Sequence, residues 1–134
     1  MAMIKGKNTK PEIIVRRYLF SRGLRYRTND RKLPGSPDIV LPRFKTVIFI
    51  NGCFWHGHEN CKTAHIPKSN VEFWTNKIGK NKKRDEKNKI LLKNMGWNVI
   101  TVWECQLKKD IKEKTLFDLE TLLYGIFLKI NTRK

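Results

Sequence analysis

Residues 46–61 run from five β-forming residues, TVIFI, directly into NGCFWHGHENC, which carries two cysteines, two histidines and the adjacent pair Phe54-Trp55. A buried element has no use for so many polar heteroatoms, because each must find a partner away from water. A strand therefore ends at about Ile50 and gives way to a loop organised by something other than apolar packing. A plain zinc ribbon would have no use for Phe54 and Trp55 at its tip.

The apolar pattern on either side frames a sheet. Thr9-Lys10-Pro11-Glu12 reads as a helix start, with Thr9 as N-cap, Pro11 in the first turn and Glu12 closing a capping box. Ile14, Val15, Tyr18 and Leu19 give this helix one buried face, and Gly23 stops it. The polar stretch TNDRKLPGSP separates it from Asp38-Ile39-Val40-Leu41, and Thr46–Ile50 follows across PRFK as a hairpin would. Beyond the Cys/His loop a basic helix extends from about Val71 to Met95, ended by Gly96. WNVITVWE (97–104) alternates and is β-branched, which marks a third core strand. Leu116, Leu119, Leu123, Phe127 and Ile130 mark a final amphipathic helix. This order predicts an α/β fold, a mixed central sheet flanked by helices, formed as a single domain over residues 1–134.

Charge narrows the partner. Twenty-nine Lys and Arg against twelve Asp and Glu give a formal +17, an excess that points to a polyanion, and nucleic acid leads. A membrane surface is the weaker option, because the basic residues are spread along the chain. No apolar run approaches the ~20 residues of a membrane span and no signal peptide opens the chain, so a cytoplasmic protein is expected. In that compartment Cys53, Cys61 and Cys105 are thiols or metal ligands rather than disulfides.

Two constellations carry chemistry. His58 and Cys61 lie three apart, a spacing that supplies half of a tetrahedral zinc site, and Cys105 at a strand exit offers a third ligand. His56, His65 and several carboxylates are eligible for the fourth; the alternative is a set of ordinary thiols and histidines. In LPGSPDIV, Asp38 heads an apolar strand, where aspartate is disfavoured. It serves either a turn or a hard cation beside a scissile phosphate. Mg²⁺ takes one or two carboxylates and keeps several waters.

The segments LPGSPDIV, VIFINGCFWHGH, EFW..KI.KN..RD and GWNVITVWEC occur in the order and approximate spacing of the very-short-patch repair (Vsr) mismatch endonucleases, and the chain resembles that family from about Met3 to about Leu107. The resemblance implies a restriction-endonuclease-like fold with a structural zinc site. It also implies an enzyme that nicks duplex DNA 5′ to the thymine of a T·G mismatch left by 5-methylcytosine deamination. Such a protein works as a monomer on DNA in the bacterial nucleoid.

By that resemblance Asp38 binds Mg²⁺ with the backbone carbonyl of Ile50, His56 stands beside the attacking water, and Glu12 supports the site from the first helix. Zinc is held by His58, Cys61, Asp85 and Cys105, with Cys53 a structural thiol. Phe54, Trp55 and Trp74 wedge into the duplex beside the mismatch, at a cost of a few kcal/mol in lost stacking that is lowest where pairing is poor. Lys77 and Asn81, on the helical face of Trp74, contact the mismatched pair.

The chain departs from the family pattern in four places. Ile50 and Asn51 stand where the family often has Thr and His. Glu59-Asn60 separates His58 from Cys61 where one residue is usual, which makes His65 a reserve ligand. The family commonly carries a longer N-terminal arm along the DNA, and here the similarity begins at about Met3. The final helix matches only in character. Two other functions fit the same residues: a restriction-type endonuclease that nicks or cleaves fully paired DNA, and a catalytically silent zinc module that binds distorted DNA.

Overall fold

The computed structural model describes residues 9–62 and 64–132; the start of the resemblance, at Met3, lies outside them. Strand β2 (Ile39–Leu41) is buried at every position and pairs antiparallel with β3 (Thr46–Asn51), placing Ile39 opposite Ile48 and Leu41 opposite Thr46. The link between them is a 3-10 turn over Pro42–Phe44, closed by Lys45 in the left-handed conformation. β3 then pairs in parallel with β4 (Asn98–Trp103), Ile48 opposite Ile100. A parallel pair needs a long crossover. Here it is the Cys/His loop followed by helix α2 (Val71–Asn94). The polar stretch before Asp38 contributes a short edge strand, β1 (Arg27–Thr28), which completes the order β1-β2-β3-β4.

The unbroken apolar run of β2 is explained by helices on both faces of the sheet. One face carries Ile39, Leu41, Ile48 and Val102, packed against Val15 and Leu19 of α1 (Lys10–Ser21) and Leu116, Leu119 and Leu123 of α3 (Lys112–Thr132). The other carries Val40 and Val47 under Leu92 of α2. Each such side chain contributes roughly 1.5–3 kcal/mol by leaving water. α1 and α3 are also joined through Glu120, which accepts from Tyr18 Oη at 2.5 Å and from Arg22 Nε at 2.7 Å.

α2 behaves differently. Of its 24 residues only Ile78, Asn81 and Leu92 are buried, so it is attached to the sheet through Leu92 and to the loop through Ile78 and Asn81. Its end is fixed by a Schellman arrangement, in which Trp97 N–H donates to Leu92 O and Gly96 N–H to Lys93 O, both at 3.0 Å. Gly96 adopts φ 94°, which a residue with a Cβ resists.

The expected capping box of α1 takes another form. Thr9 makes no side-chain cap to the backbone; its hydroxyl donates to Glu12 Oε2 at 3.0 Å. Glu12 also accepts from Arg16 at 3.0 Å and is buried, 2% exposed. The capping residue is thus turned toward a carboxylate held inside the protein. No helix among the described residues is long and apolar enough to cross a membrane.

Candidate active site and metal centre

β3 delivers the chain into tight turns. His56 N–H donates to Gly52 O at 3.2 Å, Gly57 N–H to Phe54 O at 3.2 Å, and His58 N–H to Cys53 O at 3.0 Å. This winding buries Cys53 and leaves Trp55 48% exposed. Gly57 sits at φ 60° against α2, where an added Cβ would lie 2.7 Å from Ile78 Cγ2. The loop reaches the helix this closely only with glycine there.

Ligand atoms of Cys53, His58, Cys61 and Cys105 all lie within 4.8 Å of one another. Cys105 comes from a 3-10 turn over Glu104–Leu107 directly after β4, pinned by Trp103 N–H donating to Gln106 Oε1 at 2.8 Å. Its Sγ is 3.5 Å from His58 Nδ1, and the His58 ring stacks on Trp103 at 4.0 Å and 7°. Burial and the neighbouring thiols Cys53 and Cys61 push the Cys105 thiol up to about 12. Three sulfurs this close resist ionising together unless a cation sits among them. The donor set therefore fits a tetrahedral metal ion.

The structure departs here from the ligand set that the resemblance implies. Cys53, read as a structural thiol, is the fourth member of the cluster, and Asp85 is not in it. Asp85 projects from the middle of α2 to His56, its Oδ2 lying 2.6 Å from Nδ1. His58 and Cys61 meet despite the two-residue gap because Asn60 takes a left-handed φ of 56° and turns the chain back. His65 is exposed and lies outside the cluster.

On the other side of the loop a cleft of about 730 Å³ is lined by Glu12, Asp38, Ile50, His56, Lys77 and Asn81, among others. Asp38 Oδ2 accepts from Ile50 N–H at 2.6 Å. Burial pushes its carboxyl up to about 6, aided by the charge of Glu12 and opposed by the Ile50 N–H, Arg16 and His56. A carboxylate so placed favours a cation. Asp85, as acceptor, keeps the His56 proton on Nδ1, which leaves Nε2 as the ring's proton acceptor.

Phe54, Trp55 and Trp74 form an aromatic cluster beside this cleft, with centroid separations of 5.0, 5.3 and 5.8 Å. Lys77 is exposed. Asn81, expected to reach the mismatched pair, is buried at 7% exposure and donates from Nδ2 to Trp55 O at 2.8 Å. In this structure it holds the aromatic loop to α2. Its burial in a basic helix gave no sequence signal, and neither did the Asp85–His56 pair.

Comparison with known proteins gives the family. A family model described as DNA mismatch endonuclease Vsr matches residues 1–63. The DNA mismatch endonuclease Vsr of Escherichia coli is 42% identical over 108 residues, which cover 81% of this chain and 69% of that protein. The chain belongs to the Vsr family. Other Vsr relatives are named as nicking enzymes. The type II nicking enzyme V.NmeAIP of Neisseria meningitidis serogroup A is 56% identical over 108 residues, covering 81% of this chain and 76% of its own length. V.XorIIP of Xanthomonas oryzae is 45% identical over 107 residues, covering 80% and 78%. Vsr proteins are DNA endonucleases with a restriction-endonuclease-like fold, and the mixed sheet with flanking helices described above is the form it takes here.

Proposed function

We propose that this protein nicks duplex DNA 5′ to the thymine of a T·G mismatch, working as a monomer. The observation that carries the reading is that Asp38 and His56 open into one cleft beside the Phe54–Trp55–Trp74 cluster. A reacting phosphodiester and an inserted wedge would then be neighbours, which is what a cut beside a distorted base pair requires.

Asp38 and the backbone carbonyl of Ile50 are the groups that would hold Mg²⁺. When bound, Mg²⁺ supplies polarisation of the phosphate and neutralises charge on the oxygens around phosphorus. The protein's own groups handle the proton. His56 Nε2 takes it from the attacking water while Asp85 fixes the ring and stabilises the imidazolium. His56 is the one imidazole lining the cleft among the described residues, and Asn51, standing where relatives of this kind often have His, has no ionisable group to share the task. Glu12 keeps the wall behind Asp38 negative and is itself held by Thr9 and Arg16.

Cys53, His58, Cys61 and Cys105 would hold a structural zinc ion. Its position ties the wedge loop to the exit of β4, so the aromatics enter the stack on a rigid base. Stacking returns roughly 1–3 kcal/mol per base contacted, against the few kcal/mol that unstacking costs. The balance favours insertion where pairing is already poor.

A strand-resolved nicking assay on labelled duplexes, with T·G in every flanking context and with or without Mg²⁺, tests the reading. Mg²⁺-dependent nicking 5′ to the mismatched T is expected. Cutting of fully paired DNA at equal rate would identify a restriction-type enzyme instead. No cutting with any divalent ion would leave a DNA-binding module.

A further inference from the structure

Lys77, Asn81 and Arg84 of α2 all line the cleft, and their spacing of four and then three residues puts them on one helical face. Further along the helix Asn88 comes close to Gly35, another residue of the cleft lining: a Cβ added there would lie 3.0 Å from Asn88 Nδ2. Lys77 sits next to the aromatic cluster, and Asn81 is occupied with the Trp55 carbonyl. Arg84 has no such occupation. It is exposed, takes part in no ion pair among the described residues, and is the only arginine of α2. It is also one residue from Asp85, the partner of His56. The same cleft is lined by the carboxylates Glu12, Asp38 and Glu104, none of them from α2. Its acidic groups therefore come from outside α2 and its cations, Lys77 and Arg84, from α2.

That polarity suits a phosphodiester. The carboxylates suit a cation beside the phosphate, and the cationic residues suit its two non-bridging oxygens, each of which has lone pairs enough to be shared. A rise of ~1.5 Å per residue sets Arg84 about 10 Å along the helix from Lys77, two turns on along the same face. One face of α2 thus puts one cation beside the aromatic cluster and a second further along the same cleft.

We propose that Arg84 is a substrate-binding residue whose guanidinium grips a non-bridging oxygen pair of the DNA phosphate seated between Asp38 and His56. This rests on the reading of the cleft as the site of strand cleavage. Arginine serves here where lysine does not, since its planar fork meets two oxygens at once. Because it contacts backbone and not base, the grip acts alike on mismatched and paired DNA.

The test uses two substitutions and two readouts. Binding is measured over a salt series in the Asp38→Asn background, on one duplex with T·G and one fully paired. Adding Arg84→Ala is expected to make the log–log salt slope shallower by about 1 on both duplexes, as loss of one phosphate contact does. In the otherwise unaltered protein, Arg84→Lys is expected to keep the slope but lower single-turnover nicking at least roughly tenfold, since the charge remains and the fork is lost. A slope unchanged by Arg84→Ala, or an Arg84→Lys protein nicking at the unaltered rate, would overturn the proposal. Should the unaltered protein nick no duplex at all, the cleavage reading fails by itself, while the salt slope still decides whether Arg84 meets a phosphate.

Discussion

Asp85 Oδ2 lies 2.6 Å from His56 Nδ1, joining the middle of a basic helix to the turn that follows the central strand. The pair sets the tautomer of His56 and gives Asp85 a role within the basic sequence KKRDEK. Asp85 is not among the four donors that converge at the cysteine cluster.

Asp85→Asn should therefore slow nicking by roughly 10²–10⁴, in line with loss of an orienting carboxylate beside a catalytic imidazole. The same variant should retain a full complement of metal. Metal analysis of the purified variant checks the second point, and loss of zinc would return Asp85 to the ligand set.

Cys53→Ala and Cys105→Ala should each purify without zinc and with a lowered Tm, because a four-ligand structural site contributes directly to folding. His65→Ala should keep both zinc and Tm. Circular dichroism melting alongside metal analysis reads the contrast. Zinc retained at full stoichiometry in Cys53→Ala would show that Cys53 is only packed beside the site.

Asp38 predicts an inverted pH response. Its carboxyl is pushed up to about 6, chiefly by burial, with Glu12 adding to the effect. From the ordinary carboxylate range up to about 6 the folded protein keeps a proton that the unfolded chain has released, so stability falls as pH rises through that window. At pH 7 the half-buried charge costs about 2–3 kcal/mol. Without added magnesium, Asp38→Asn should raise Tm at pH 7 and change it little near pH 4. Millimolar Mg²⁺ should stabilise the unaltered protein and not the variant. An equal Tm for both proteins at pH 7 would argue against a half-buried, destabilised carboxylate.

Trp55, 48% exposed, is the most exposed of the three aromatics Phe54, Trp55 and Trp74. Trp55→Ala should reduce the preference for T·G over paired DNA roughly tenfold, the loss expected for one stacked base. Affinity for paired DNA should change far less, since the +17 charge acts on any phosphates. Gel-shift titrations of both duplexes separate the two effects.

The first helix, the hairpin and the third core strand were legible because their apolar residues follow simple periods, and Gly23 and Gly96 mark where the first helix and the long basic helix stop. Strand β1 was not, as Arg27 and Thr28 are exposed and carry no apolar signal. The Cys/His loop announced a metal by its donors, but which four converge depends on the turns at Gly57 and Asn60. The spacing of Cys53, His58 and Cys61 in one short segment, set beside Cys105, held the signal for the observed cluster. Asp85 and Asn81 were hidden for the opposite reason. A polar residue in a charged helix reads as solvated, and only the path of the loop brings His56 and the Trp55 carbonyl to them.

The most direct test of the account is single-turnover nicking of a T·G duplex by the unaltered protein and by Asp38→Asn, each with Mg²⁺. Asn preserves the size of the side chain while removing the charge that draws the metal, so the fold and the binding of mismatched DNA should be kept. The account predicts a cut 5′ to the mismatched T by the unaltered protein and a rate lower by several orders of magnitude, about 10³ or more, in the variant. An Asp38→Asn rate within about tenfold of the unaltered one, a difference of only ~1.4 kcal/mol in barrier, would contradict it.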